Sequence, residues 1–251
     1  MDFTGKSIVI TGSGAGIGKR TAMEMAERGG LLTVSDLDFS KAEQTAKEIE
    51  EAGGKAIATE ADVRNYEQIE AMIEAATKEY GQVDVLINNA GTSIPKPFIT
   101  TTQEDWDFNI GICLYGVMNG CKAVLPQMIE RGSGKIINIC SDAGRVGEPM
   151  LAPYSAAKAG VVGFTKALAK EVARNKVLVN CVCFSTIRTE LMKGLFEANP
   201  DVEQKMVKRY PMKRLGEMGE AANTVMLMSS DYVTFITGQV LSCNGGYAMV
   251  D

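Results

Sequence analysis

The sequence predicts an α/β fold: a doubly wound parallel sheet with helices on both faces, forming one domain over residues 1–251. Three observations predict it. Short β-branched runs alternate with longer helical patterns from end to end, an order that specifies parallel strands joined by right-handed crossovers. The first apolar run leads into a glycine-rich turn that opens a helix. No Pro/Gly/Ser-rich linker and no internal repeat divides the chain.

In order, Ser7–Thr11 is the first strand, followed by the glycine turn and a helix to about Arg28. Leu31–Ser35 is the second strand, and a helix covers about Ser40–Glu51. The strands Lys55–Glu60 and Val83–Asn88 flank a charged helix over about Asn65–Tyr80. The remaining strands are Lys135–Cys140, Leu178–Cys183 and Gln239–Cys243, with long helices at about Thr102–Arg131 and Ala152–Ala173.

The turn reads Thr11-Gly12-Ser13-Gly14-Ala15-Gly16-Ile17-Gly18. Glycines let the backbone approach a pyrophosphate closely, and the following helix presents free N–H groups and a positive dipole to it. A strand before, a helix after and an alternating chain beyond are the context that a dinucleotide site requires. A nucleoside-triphosphate loop fails on spacing, because Ser13 stands where a glycine is needed and Arg20 follows Lys19. Asp36, ending the second strand, is placed to bond adenosine ribose hydroxyls and to repel a 2′-phosphate, which favours NAD over NADP.

Composition narrows the chemistry. The chain has no histidine, which removes Ser-His-Asp and Cys-His mechanisms and histidine-ligated zinc. Its net charge of -5 disfavours nucleic acid as a partner. No run of about 18 apolar residues suggests a membrane span, and Met1–Lys6 has no signal-peptide pattern, so a cytoplasmic location is expected. The six cysteines form no Cys-x2-Cys pair and sit in apolar surroundings. They read as small buried hydrophobes, and no metal site is expected.

Tyr154 and Lys158 are four residues apart, so on a helix they share one face, and Ser141 lies thirteen residues upstream. A neighbouring cation favours phenolate over phenol, which suits the hydroxyl to proton transfer. With Asp62-Val63, Asn88-Asn89-Ala90-Gly91, Thr237-Gly238-Gln239 and Gly245-Gly246, these motifs resemble the short-chain dehydrogenase/reductase family over essentially the whole chain.

The resemblance implies a Rossmann-like domain, usually a homotetramer, that moves hydride between NAD and a secondary alcohol or ketone. The glycine turn (Gly12, Ser13, Gly14, Gly16, Ile17, Gly18) and Asp36 would hold the cofactor. Asp62 and Val63 would contact the adenine, and Asn89, Ala90 and Gly91 would line the adenosine side. Ile187 and Thr189 would meet the carboxamide. Ser141 would bond the substrate oxygen, Tyr154 would exchange the proton, and Lys158 would bind the nicotinamide ribose and depress the tyrosine pKa.

Two departures from the family pattern stand out. Counting seven from Trp106 lands on Cys113, where the family generally has an asparagine linking the lysine to solvent; Asn109 lies one turn earlier. A thiol is a weak donor and acceptor, which puts the proton relay in question. Phe184-Ser185 replaces the usual Pro-Gly, and a serine can follow that path only with negative φ or with strain.

Residues 186–214 correspond to the family's substrate-covering lid, where seven basic residues outnumber four acidic ones. That balance fits either a solvated helix face or an anionic substrate of the acyl-CoA type, with Arg145 as a candidate anion ligand or a surface arginine. The alternative function is a catalytically impaired NAD-binding regulatory or structural subunit of the same fold.

Overall fold

The computed structural model describes residues 1–250, and the side chains of all of these except Leu191, Leu195 and Pro200. The elements run β1 (Ser7–Thr11), α1 (Gly16–Ala26), β2 (Leu31–Asp36), α2 (Phe39–Glu51), β3 (Lys55–Glu60), α3 (Tyr66–Tyr80) and β4 (Val85–Asn88). They continue with α4 (Gln103–Ile110), a π-helical turn (Gly111–Tyr115), α5 (Gly116–Arg131), β5 (Gly134–Ser141), α6 (Ala143–Val146), α7 (Ala152–Val172) and β6 (Val177–Phe184). The last are β7 (Ile187–Arg188), α8 (Glu190–Ala198), α9 (Pro200–Lys208), β8 (Gly216–Glu217), α10 (Met218–Ser229) and β9 (Val240–Cys243).

Seven strands form one parallel sheet in the order β3-β2-β1-β4-β5-β6-β9. The inner strands β2, β1, β4, β5 and β6 are buried on both faces, and their alternate residues feed different cores. Ile8 and Ile10 join α1, α2 and α10 through Met25, Ile49 and Met226. Val9 points the other way, toward α3, α5 and α7 through Met72, Met128 and Val161. Each large apolar side chain buried this way contributes about 1.5–3 kcal/mol. A smaller cluster of Phe196, Tyr210 and Leu215 holds the α8–α9 segment together. The short parallel pair β7–β8 anchors that segment's two ends.

The boundaries depart from the sequence reading where tertiary contacts decide them. α1 stops at Ala26 because the chain turns through Gly29 at φ +83 to enter β2. β4 begins at Val85, where it first pairs with Ile8. The Val83 amide donates instead to Gln127 Oε1 at 2.9 Å. The single helix expected over Thr102–Arg131 is two helices joined by the π-helical turn. Thr102 and Asp105 close its start with reciprocal capping bonds, and a one-residue widening of the helix leaves no mark on apolar periodicity. By length and apolar content Gln103–Arg131 would suffice to cross a membrane. Here its Val117, Cys121, Val124 and Met128 pack into the core shared by α3, α5 and α7.

Inside that core Asn88 Nδ2 donates to Asn138 Oδ1, and Asn138 Nδ2 to Thr165 Oγ1, each at 2.9 Å. The chain of amides ties β4, β5 and α7 in a region where an unpaired polar group would be costly. α5 fits over it only because Gly120 lacks a side chain: a Cβ there would fall on Asn88 Oδ1. Gly120→Ala is therefore expected to cost about 1–3 kcal/mol by overpacking, read as a lowered Tm in thermal unfolding. An unchanged Tm would show that the amide network has slack.

Candidate active site

A cavity of about 920 Å³ opens at the C-terminal ends of the strands. It extends from Asp36 and Leu37 past Gly12 and Ala15–Gly18 to Ser141, Tyr154 and Lys158, then under Met192, Met206 and Arg209. Its middle lies where the chain reverses direction across the sheet, between β1 and β4, the usual place for a ligand in an open α/β sheet.

The glycine turn is built by close approach. A Cβ on Gly12 would strike Ala90, and one on Gly18 would strike Asn89 Nδ2 and the Gly12 carbonyl. Gly12 and Gly16 have φ of +62 and +58, a region that L side chains rarely enter. Ala15 precedes α1 and offers no side-chain cap, so the first amides of α1 remain available to an anion from the cavity. Gly12, Gly16, Ile17 and Gly18 line the cavity, whereas Ser13 and Gly14 are not among its lining residues. Ser13 is fully buried, and its hydroxyl donates to the Ile10 carbonyl at 2.7 Å. The Gly14 amide donates to Asp36 Oδ2 at 3.0 Å.

Asp36 therefore has its carboxylate held against the turn, with Oδ1 accepting from the Asp38 amide at 3.2 Å. Each oxygen keeps acceptor capacity toward the cavity. Asp62 and Val63 sit on the same wall. Asp62 is paired with Arg64, whose guanidinium holds the carboxyl below the ordinary aspartate range. Asn119 of α5 donates to the Val63 carbonyl at 2.9 Å and so positions that loop.

Asn89 Nδ2 donates to the carbonyls of Thr11 and Gly12 at 3.0 and 2.9 Å, and the Thr11 hydroxyl accepts from the Asn89 and Ala90 amides. These bonds fasten the turn to β4, so Asn89 braces the site as well as lining it. Gly91 lies nearer the opposite end of the cavity than the adenosine side. A Cβ there would stand 3.3 Å from Lys158 Nζ and 3.9 Å from Cys113 Sγ.

Ser141 ends β5 and faces the cavity beside Tyr154 and Lys158 of α7. Lys158 is 2% exposed; its Nζ donates to the Ile139 carbonyl at 2.7 Å and lies 5.8 Å from the Tyr154 ring centre. Two of its three donors remain. Burial is the largest influence on Lys158 and acts to lower its pKa, but the charges of Tyr154 and nearby thiols together hold it above the ordinary value. For Tyr154, burial pushes the phenol up and outweighs the downward pulls of Lys158 and Ser141. The net direction is thus opposite to the one expected from Lys158 by itself.

Cys113 occupies the centre of the π-helical turn and is fully buried. Its thiol donates to the Thr92 carbonyl at 3.3 Å. Asn109 does not reach the cavity: its Nδ2 donates back to the Asp105 carbonyl at 2.7 Å.

Neither Phe184 nor Ser185 takes a positive φ, so the serine follows its path without backbone strain. The Ser185 hydroxyl lies 2.5 Å from the Tyr210 hydroxyl, which also accepts from the Thr186 amide at 2.9 Å. Ile187 and Thr189 both line the cavity. Arg145 is committed elsewhere, donating to Ser242 Oγ at 2.7 Å and to the Val250 carbonyl at 2.6 Å. Arg64 lines the cavity at the Asp62 wall, and the guanidinium on the Met192–Met206 side is Arg209. It pairs with Glu148 at 2.9 Å and lies over the Tyr247 ring, whose hydroxyl donates to the same carboxylate at 2.7 Å. This cluster joins the end of α9, the α6–α7 loop and the C-terminal segment. No local sequence signal marks it, since its members are 61 and 99 residues apart.

The comparisons with known proteins agree with this geometry. The family described as enoyl-(acyl carrier protein) reductase matches residues 12–248. A 3-oxoacyl-[acyl-carrier-protein] reductase, FabG, from Thermotoga maritima is 35% identical, covering 98% of this chain and 99% of its own. The (2S)-[(R)-hydroxy(phenyl)methyl]succinyl-CoA dehydrogenase subunit BbsD from Thauera aromatica is 36% identical, covering 99% of each. A solved structure from Sinorhizobium meliloti 1021, described as a short-chain alcohol dehydrogenase, superimposes with a TM-score of 0.92 at 31% identity, covering 98% of this chain and 97% of that one. The chain belongs to the short-chain dehydrogenase/reductase family.

Proposed function

We propose that the protein is an NAD-dependent oxidoreductase that interconverts a secondary alcohol and a ketone, with Tyr154 as general acid/base. The observation that carries this reading is the buried Tyr154–Lys158 pair, sharing one cavity with Ser141 and an uncapped, glycine-lined helix N-terminus. The residues fit a nicotinamide dinucleotide. The glycine turn is a cradle that added Cβ atoms would fill, Asp36 offers a carboxylate to ribose hydroxyls, and Lys158 has donors to spare. Bound there, the cofactor would accept or supply the hydride.

The protein's own part is to position and to move a proton. Ser141 donates to the substrate oxygen and fixes it against Tyr154 Oη. In oxidation the tyrosinate takes the hydroxyl proton; in reduction the phenol gives it to the nascent alkoxide. Lys158 lowers the energy of the tyrosinate electrostatically while burial opposes it, and Cys113 and Thr92 flank the route from Lys158 toward solvent.

NAD is preferred over NADP because the Asp36 carboxylate occupies the 2′ side, while the nearest cations are engaged, Arg64 with Asp62 and Lys41 with Asp38. For the substrate, two relatives whose names specify acyl carrier protein or coenzyme A thioesters support an acyl thioester. Arg209, on the Met192–Met206 side of the cavity, is the cation placed to meet an anionic group on it. A homotetramer with a cytoplasmic location completes the reading.

Tyr154→Phe should lower turnover by roughly 10²–10⁴-fold while NAD binding, read by fluorescence, persists. Retained turnover would overturn the assignment, and an inactive wild type that binds NAD would favour a regulatory subunit. Cys113→Asn should shift the pH dependence of turnover, because an amide hydrogen-bonds a relaying water better than a thiol does; an identical profile removes Cys113 from the relay. Alcohol oxidation should rise with pH as Tyr154 loses its proton and ketone reduction should fall, measured as initial rates in each direction.

A further inference from the structure

Three cysteines outside the proton-transfer group converge beneath it. Cys140 and Cys183 are direct partners in the parallel register of β5 and β6, and Cys181 is two residues back on the same face of β6. Their sulfurs lie within 4.8 Å of one another, and all three are free, buried thiols. Cys140 belongs to the cavity wall, so the cluster borders the active-site cavity. The Cys140 thiol donates to the Lys158 carbonyl at 3.2 Å. Cys121, in the same core, is engaged differently, with the Asn88–Asn138 amides.

Packing alone does not require three thiols to point at one spot, since valine or alanine would fill the same space. The geometry suits a soft ion. Three sulfurs in a plane around one metal at about 2.3 Å stand roughly 4 Å apart, so small side-chain rotations would close the observed triangle. The group contains no imidazole or carboxylate among its members. Thiolates alone select Cu(I), zinc or iron–sulfur centres. Structural zinc completes a tetrahedron of four ligands, whereas Cu(I) is satisfied by three sulfurs.

We propose that Cys140, Cys181 and Cys183 form a binding site for one monovalent soft metal ion, Cu(I), and that its occupancy inhibits the enzyme. Each sulfur that binds as thiolate releases its proton to solvent, copper remains Cu(I), and no electron is transferred. The Lys158 ammonium acts electrostatically on Cys140 and partly offsets the negative charge of the site. Inhibition follows from position: metal binding draws Cys140 away from the Lys158 carbonyl, and Ser141 is the next residue. Binding depends on the thiols alone, whereas the effect on turnover rests on the proposed reaction.

The test is anaerobic titration of the reduced, metal-free protein with Cu(I), in competition with a chromophoric Cu(I) chelator. The expected result is one tightly held equivalent, an ultraviolet thiolate-to-copper band and three sulfur neighbours by X-ray absorption. Cys181→Val and Cys183→Ala should each weaken binding roughly tenfold or more, with folding checked by thermal unfolding. Cys181→Ser serves if the valine does not fold, and Cys243→Ala should change nothing. Failure to compete with the chelator, nitrogen or oxygen ligation, or undiminished affinity in folded Cys181 and Cys183 variants would overturn the site. Because binding is read without turnover, an inactive wild type would refute the reaction and leave this result standing. Loss of NADH formation in step with copper loading supports the inhibition; full turnover of the copper-loaded protein refutes it.

Discussion

A buried ammonium organises the reactive end of this molecule. Lys158 is nearly inaccessible, and a charge taken out of water is tolerated only where bonds and partners replace its hydration. The Ile139 carbonyl provides one bond, and the ring and hydroxyl of Tyr154 lie on the same face of α7. The fold must therefore bring β5 and α7 close together at this level. The Asn138–Thr165 bond does so deeper in the core, and Gly144 permits it nearer the cavity, since a Cβ there would collide with the Lys158 backbone.

The same requirement shapes the opposite wall. Gly91 leaves room for Lys158 Nζ, Gly160 lets Leu114 press against α7, and the π-helical turn brings Cys113 alongside. The nucleotide end depends on equally close approaches, between Gly12 and Ala90 and between Gly18 and Asn89. The two ends meet at the Asn89–Gly91 loop, which fastens the glycine turn on one side and faces Lys158 on the other. A shift in that loop would be felt at both ends.

Much of this was legible in the sequence because it is local. The strand–glycine–helix start, Asp36 at a strand end and the i, i+4 spacing of Tyr154 and Lys158 are each contained in a short window. Alternation of elements gave the parallel sheet, and counting from Trp106 located Cys113. The parts with no local signal arise from pairing across long separations. The Glu148–Arg209–Tyr247 cluster, the diversion of Arg145 to the C-terminal segment and the cysteine triangle all depend on strand register or loop placement. The motif places Ser13 at the cofactor, yet its hydroxyl is spent on the Ile10 carbonyl. The six cysteines looked alike as small hydrophobes, and only the β5–β6 register distinguishes three of them. The sign of the Tyr154 shift has no local signal either: spacing reveals the neighbouring cation but not how deeply the phenol is buried.

Lys158 stabilises the Tyr154 phenolate against the effect of burial. Ultraviolet titration of tyrosinate, taken as the difference between each protein and its Tyr154→Phe counterpart, isolates that one phenol among seven tyrosines. Lys158→Met is expected to move the Tyr154 transition to higher pH than in the wild type, in folded protein. An unchanged or lower transition would contradict it, because the ammonium would then have no hold on the proton.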